Sequence, residues 1–158
     1  MGTVRSFTEL VAWQKAREVR RSILRLVRSW AIEEKFRLSD QIIRSSRGAC
    51  ANIAEGYGRS RGKDNIRFCR IAKGSLYETQ DHLSAAYDEG FLDVSALKVH
   101  WSIVEEALRV INGYINYLQT FTESTSVSEP SVDHQTASKI FTDGASDLPD
   151  NWPRTTDN

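Results

Sequence analysis

Histidine and cysteine are scarce in this sequence, with three and two residues respectively in a chain of 158. A helical bundle can hold two iron or manganese ions, but that needs a Glu-x-x-His pair on each of two helices. None of His82, His100 and His134 has a glutamate three positions earlier, so no metal ligand is assigned. Cys50 and Cys69 both fall on apolar helical lines and read as buried free thiols. There is no P-loop, no G-x-S-x-G elbow and no local Cys–His pair. Gly56, Gly58 and Gly62 have the wrong spacing for a dinucleotide loop and follow a helix rather than a strand. No catalytic or cofactor-binding residue is therefore assigned, and no enzyme is expected. No apolar run approaches the roughly 18 residues of a membrane span, and the first residues form no apolar signal segment. The expectation is a cytoplasmic protein without a membrane partner.

The sequence is rich in helical periodicity. Ser6 and Glu9 form an S-x-x-E capping box that predicts a first helix from near residue 7, with Leu10 as its first buried contact. Ala12, Ala16, Val19, Ile23, Leu26 and Trp30 then step by fours and threes, the seam of a helical bundle. In a second helix, Leu38, Ile42, Ser45 and Ala49 run beside Ile43, Ser46, Cys50, Ile53 and Tyr57. Ser45, Ser46, Ala49 and Cys50 among them are small, which lets neighbouring backbones come close. Gly56, Gly58 and Gly62 are expected to stop this helix and turn the chain. A third helix carries Ile66, Cys69, Ala72, Leu76, Thr79, Leu83 and Ala86 to a stop at Gly90, after which Asp93 or Ser95 caps a fourth.

The fourth helix has two seams. One is Leu97, Trp101, Val104, Leu108, Ile111, Ile115 and Leu118; the other is Ile103, Ala107, Val110, Tyr114, Tyr117 and Phe121. Together they make a face wider than one bundle groove covers, so Tyr114, Tyr117 and Phe121 are assigned to a subunit interface. Leu10, Trp13 and Leu24, which project from the first helix on its polar side, join them. The expected fold is an all-α, up-down-up-down four-helix bundle over residues 1–121. Residues 122–158 hold all three prolines and no sustained periodicity, and read as a disordered acidic tail.

The net charge of zero hides a polarised chain. Residues 1–77 carry 17 Lys and Arg against 7 Asp and Glu, whereas residues 78–121 and 122–158 each carry 2 against 7. Arg17, Arg21, Arg25 and Arg28, with Arg20 beside them, share the outer side of the first helix. Arg59, Arg61, Lys63 and Arg67 crowd the second turn and the start of the third helix, where cations oppose the macrodipole. With Arg44 these ten are the candidate nucleic-acid-binding residues, of a kind that neutralises phosphates without reading bases. Glu55 sits one turn before Arg59 and reads as its ion-pair partner; a catalytic reading would need a second acid, for which Glu78 is the candidate.

The run Asn52-Ile53-Ala54-Glu55-Gly56 with Gly58-Arg59 resembles the signature of the small four-helix-bundle proteins encoded in intervening sequences of bacterial 23S rRNA genes. Leu10-Val11-Ala12-Trp13-Gln14-Lys15-Ala16, Arg67-Phe68 and Gly74-Ser75-Leu76-Tyr77-Glu78 match in the expected order. Where that family usually has Ser-Ile-Pro before the Asn, this chain has Gly48-Ala49-Cys50, so its second helix should be less kinked. The resemblance implies a non-enzymatic, ring-forming homo-oligomer, typically a pentamer. It also implies a relation to accessory proteins of diversity-generating retroelements, which bind nucleic acid and a reverse transcriptase. The partners expected on that ground are further copies of the chain and RNA or DNA. The alternative is a scaffold that binds only protein, such as a reverse transcriptase.

Overall fold

A computed structural model of the chain describes residues 4–30, 37–59 and 62–125. Among them are four long helices and no strand: α1 (Val11–Leu26), α2 (Leu38–Gly58), α3 (Lys63–Asp88) and α4 (Val94–Thr125). Each helix packs on its two neighbours in the ring α1–α2–α3–α4, as an up-down-up-down bundle requires. The two small-residue lines of α2 and the seams of α1, α3 and α4 meet in one core. Ile23, Ile42, Ile53, Leu76, Leu83, Leu97, Ile111 and Leu118 are its largest fully buried side chains.

The start of α1 differs from expectation. Ser6 Oγ accepts from the Thr8 amide at 3.2 Å and Glu9 Oε2 accepts from the Arg5 amide at 2.9 Å, so the polar residues cap a 3₁₀ turn, Phe7–Glu9. Leu10 then adopts extended backbone and α1 begins at Val11. Leu10 is therefore off the helical register that placed it on the polar side. It is 3% exposed and belongs to the core, as a first buried contact should, and not to a subunit contact. At the other end α1 gives way to a second 3₁₀ turn, Val27–Ser29, and Trp30 packs on Phe91 with ring centroids 5.4 Å apart.

Gly56 does not stop α2, which runs unbroken to Gly58. A Cβ on Gly56 would lie 2.8 Å from Asn65 Oδ1 and 2.9 Å from Phe68 Cβ, so the glycine marks a close approach of α2 to α3. Further along the same pair, Ser45 and Thr79 share a buried hydrogen bond of 2.9 Å between their hydroxyls. Each hydroxyl also lies within hydrogen-bond reach of a carbonyl of its own helix, Ile42 O and Ser75 O. The small-residue lines thus bring two helices together and leave their polar atoms satisfied.

The end of α3 is a Schellman turn. Gly90, at φ +78°, donates to Tyr87 O at 3.0 Å and Phe91 donates to Ala86 O at 2.8 Å. Asp93 then caps α4 by accepting from the Ala96 amide at 2.8 Å. The second seam of α4 is more deeply placed than expected. Asn65 Nδ2 donates to Tyr114 Oη at 3.2 Å, and Tyr114 is 3% exposed, so it is a core residue facing α3 and not an interface residue. Ala107 is buried with it. Ile103, Val110, Tyr117 and Phe121 stay half-buried as a line along α4. The helix continues to Thr125, past the boundary expected at Phe121. The tail assigned to disorder lies, from residue 126 onward, outside the described residues.

Two consequences are measurable by urea unfolding. Gly56→Ala should lower stability by about 1–3 kcal/mol through overpacking, less the helix-propensity gain, whereas Gly74→Ala should raise it by about 0.5–1 kcal/mol. Gly74 is exposed inside α3 and an added Cβ there meets nothing within 4 Å. His100 supplies a pH dependence. Its Nδ1 lies 2.7 Å from Ser22 Oγ, and burial, aided by the Arg25 charge, holds its pKa below the usual histidine value of 6.5. The unfolded chain therefore binds a proton that the folded one resists. Stability should be full above about pH 6.5 and fall as pH drops below it. A His100→Gln variant should lose that part of the slope.

Candidate nucleic-acid interface

The α1 arginines are arranged as the periodicity requires, because the seam that buries Ala12, Ala16, Val19 and Ile23 turns them outward. Arg17, Arg21, Arg25 and Arg28 are exposed and Arg20 is half-buried. None of the five forms an ion pair among the described residues. The Arg17 guanidinium sits 5.7 Å from the centre of the Trp13 ring, which in turn packs edge-on against Phe7 at 5.2 Å. Trp13, Arg17, Arg20 and Arg21 line a groove of about 540 Å³, together with Thr8, Gln14 and Glu18. The acid in this groove is already engaged, since Glu18 holds Lys15 at 3.0 Å.

The second basic group is less free than its sequence suggests. Arg59 makes two hydrogen bonds to Glu55 Oε1, at 3.0 and 2.7 Å, and its guanidinium covers Phe68 at 5.1 Å. Arg44 is paired with Asp40 at 3.6 Å. These two charges are partly neutralised within α2. Lys63 and Arg67 are exposed at the start of α3, as is Arg70 one turn on. Gly62, at φ +123°, leads into this helix without a side-chain cap. Arg61 lies outside the described residues. Tyr57 Oη donates to Val4 O at 3.1 Å, tying the end of α2 to the segment that leads into α1.

Two positions escaped the sequence reading. Arg47 is exposed on α2 one turn before the buried Cys50, so α2 adds a further outward cation. The signal was its spacing from Cys50. The Tyr77 ring is 51% exposed, and Lys73 Nζ lies 5.8 Å from its centre. Of the residues assigned to a subunit contact, Trp13, Leu24, Tyr117 and Phe121 remain half-exposed. Tyr117 stacks near Tyr114, with centroids 6.4 Å apart.

The side chains singled out for chemistry are occupied structurally. Glu55 is held by Arg59, and Glu78 Oε1 lies 3.7 Å from His82 Nε2 on the next turn of its own helix. Among the described residues no three His, Cys, Asp or Glu side chains gather as a metal site needs. Cys50 and Cys69 are buried free thiols. Burial pushes the Cys69 pKa up to about 12 and raises that of Cys50, where Arg20 and Arg17 oppose it. A thiol held protonated reacts slowly. Both should resist a thiol reagent at neutral pH in the folded protein and react fully in denaturant; fast labelling of either in the native state would contradict the packing described here.

No helix among the described residues is long and apolar enough to cross a membrane. The fold is found in a solved structure from Bacteroides thetaiotaomicron, a protein with unknown function from the S23 ribosomal protein family. It is 23% identical, with a TM-score of 0.58 over 66% of this chain and 98% of that one. At this identity the likeness concerns the fold. No curated protein sequence matches. The family model described as 23S rRNA-intervening sequence protein matches residues 8–113, which span the bundle from the capped turn before α1 to the buried middle of α4. Bundle and motifs thus agree with the family match, and the chain belongs to the 23S rRNA-intervening sequence protein family.

Proposed function

We propose that this chain is a non-enzymatic cytoplasmic protein that assembles with copies of itself and binds RNA or DNA without sequence preference. The observation that carries the reading is the row of α1 arginines, which face outward with no acid paired to them among the described residues. Unpaired guanidinium groups on a rigid helix meet successive phosphates and release their counterions. Arg47 and the cations at the start of α3 extend the same field. Backbone contacts of this kind carry no base information, so affinity should follow ionic strength rather than sequence.

Self-assembly rests on a different surface. Ile103, Val110, Tyr117 and Phe121 form a half-buried apolar line on α4, whereas Trp13 and Leu24 lie among the α1 arginines and stay with that face. A second copy laid on the α4 line removes it from water, and a closed ring such as a pentamer satisfies every copy equally.

Titration of a labelled oligonucleotide at several salt concentrations tests the binding. The expected log–log slope is about −3 to −5, corresponding to some four to six phosphate contacts. Arg21→Gln with Arg25→Gln should flatten it by about 2, while Arg44→Gln, already paired with Asp40, should change it less. Absence of binding at low salt would overturn the reading in favour of a scaffold that engages only protein. Light scattering tests the assembly: a mass of several chains is expected, and a monomer would remove that part.

A further inference from the structure

The α1 groove pairs a tryptophan with three arginines, which suits an acidic peptide carrying an aromatic anchor. Trp13, Arg17, Arg20 and Arg21 surround about 540 Å³, and the one acid among them is held by Lys15. Such a ligand follows α4 in the same chain. The 33 residues from Ser126 onward include Glu129, Asp133, Asp143, Asp147, Asp150 and Asp157 against only Lys139 and Arg154. Trp152 stands among them between Pro149 and Pro153, and Ile140-Phe141 gives a second apolar spot. Guanidinium groups stack on aromatic faces as well as pairing with carboxylates, so both features of the segment match the groove.

The topology delivers this segment to the correct end. The Ser22–His100 contact fixes the antiparallel register of α1 and α4. From that level α4 runs on to Thr125, whereas α1 reaches back only to Val11. The end of α4 therefore overshoots the first turn of α1 by roughly 20 Å, at the end of the bundle that holds Arg59 and Lys63. A 33-residue segment spans roughly 30 Å as a coil and about 100 Å when extended. The α3 start and the α1 groove are both within that range.

We propose that residues 126–158 dock on the basic surface formed by the α1 groove and the start of α3, where they compete with nucleic acid for the same cations. The inference rests on the polyanion-binding reading of that surface and adds its regulation. An attached segment acts at an effective concentration in the millimolar range, so even a weak contact suppresses binding of an external polyanion. The effect is electrostatic and fades with salt.

The test uses the full chain. One variant carries Glu129→Gln, Asp133→Asn, Asp143→Asn, Asp147→Asn, Asp150→Asn and Asp157→Asn, which keeps length and apolar anchors. At low salt it should bind a labelled mixed-sequence oligonucleotide about tenfold more tightly than the unaltered chain, with the gap closing as salt rises. Without any oligonucleotide, the amide NMR signals of residues 13–21 should shift between the two proteins, while those in the middle of α4 should not. Equal affinities overturn the docking and leave nucleic-acid binding standing. If neither protein binds, the nucleic-acid reading falls and the amide signals decide: a shift confined to the basic surface upholds the docking, and identical spectra overturn it.

Discussion

The close approach of α2 to α3 sets the rest of the molecule. Where Gly56 meets Asn65 and Phe68 there is no room for one additional carbon, and the spacing continues through the Ser45–Thr79 hydrogen bond. That contact holds Asn65 where its amide reaches Tyr114 Oη, and so draws Tyr114 of the second α4 seam against α3. With the first α4 seam turned inward, α1 closes the ring through Ser22 and His100. The arginines of α1 are left on the outside because every inward position is already filled.

Charge segregation follows from this packing and from the order of the chain. The basic residues precede Tyr77 and the acidic excess follows it, so the bundle places cations on α1, α2 and the first half of α3. Where an acid falls within one turn, as for Arg44 and Arg59, the cation is paired and adds little to a binding field. Along α1 the one acid, Glu18, is held by Lys15, and the arginine charges stay available. Local ion pairing therefore divides the ten candidate residues more sharply than their number along the sequence.

Most of the fold was legible because α-helical periodicity is a local signal that does not depend on tertiary detail. Gly90 as the end of α3 was readable from local sequence too, as was a cap of α4 at Asp93 or Ser95, of which the structure uses Asp93. One misplacement is local, and the other two concern residues whose role is set by a partner far away in sequence. Leu10 left the helical register because a 3₁₀ turn claimed Ser6 and Glu9. Tyr114 lies inside, where Asn65, on another helix, donates a hydrogen bond to its hydroxyl. Gly56 resembled a helix stop, yet it is a contact, and only the position of α3 distinguishes the two. In the candidate site, exposure of the α1 arginines could be read from spacing, but the groove with Trp13 depends on the turn before α1.

The central claim is that the outer face of α1 is the polyanion-binding surface. It is tested most directly by arginine-selective chemical modification, read by mass spectrometry with and without a saturating oligonucleotide. Arg17, Arg21, Arg25 and Arg28 should become protected, while Arg109, which α4 pairs with Glu106, should react equally in both samples. Equal modification of the α1 arginines with nucleic acid bound, or protection centred on Arg109, would contradict the account.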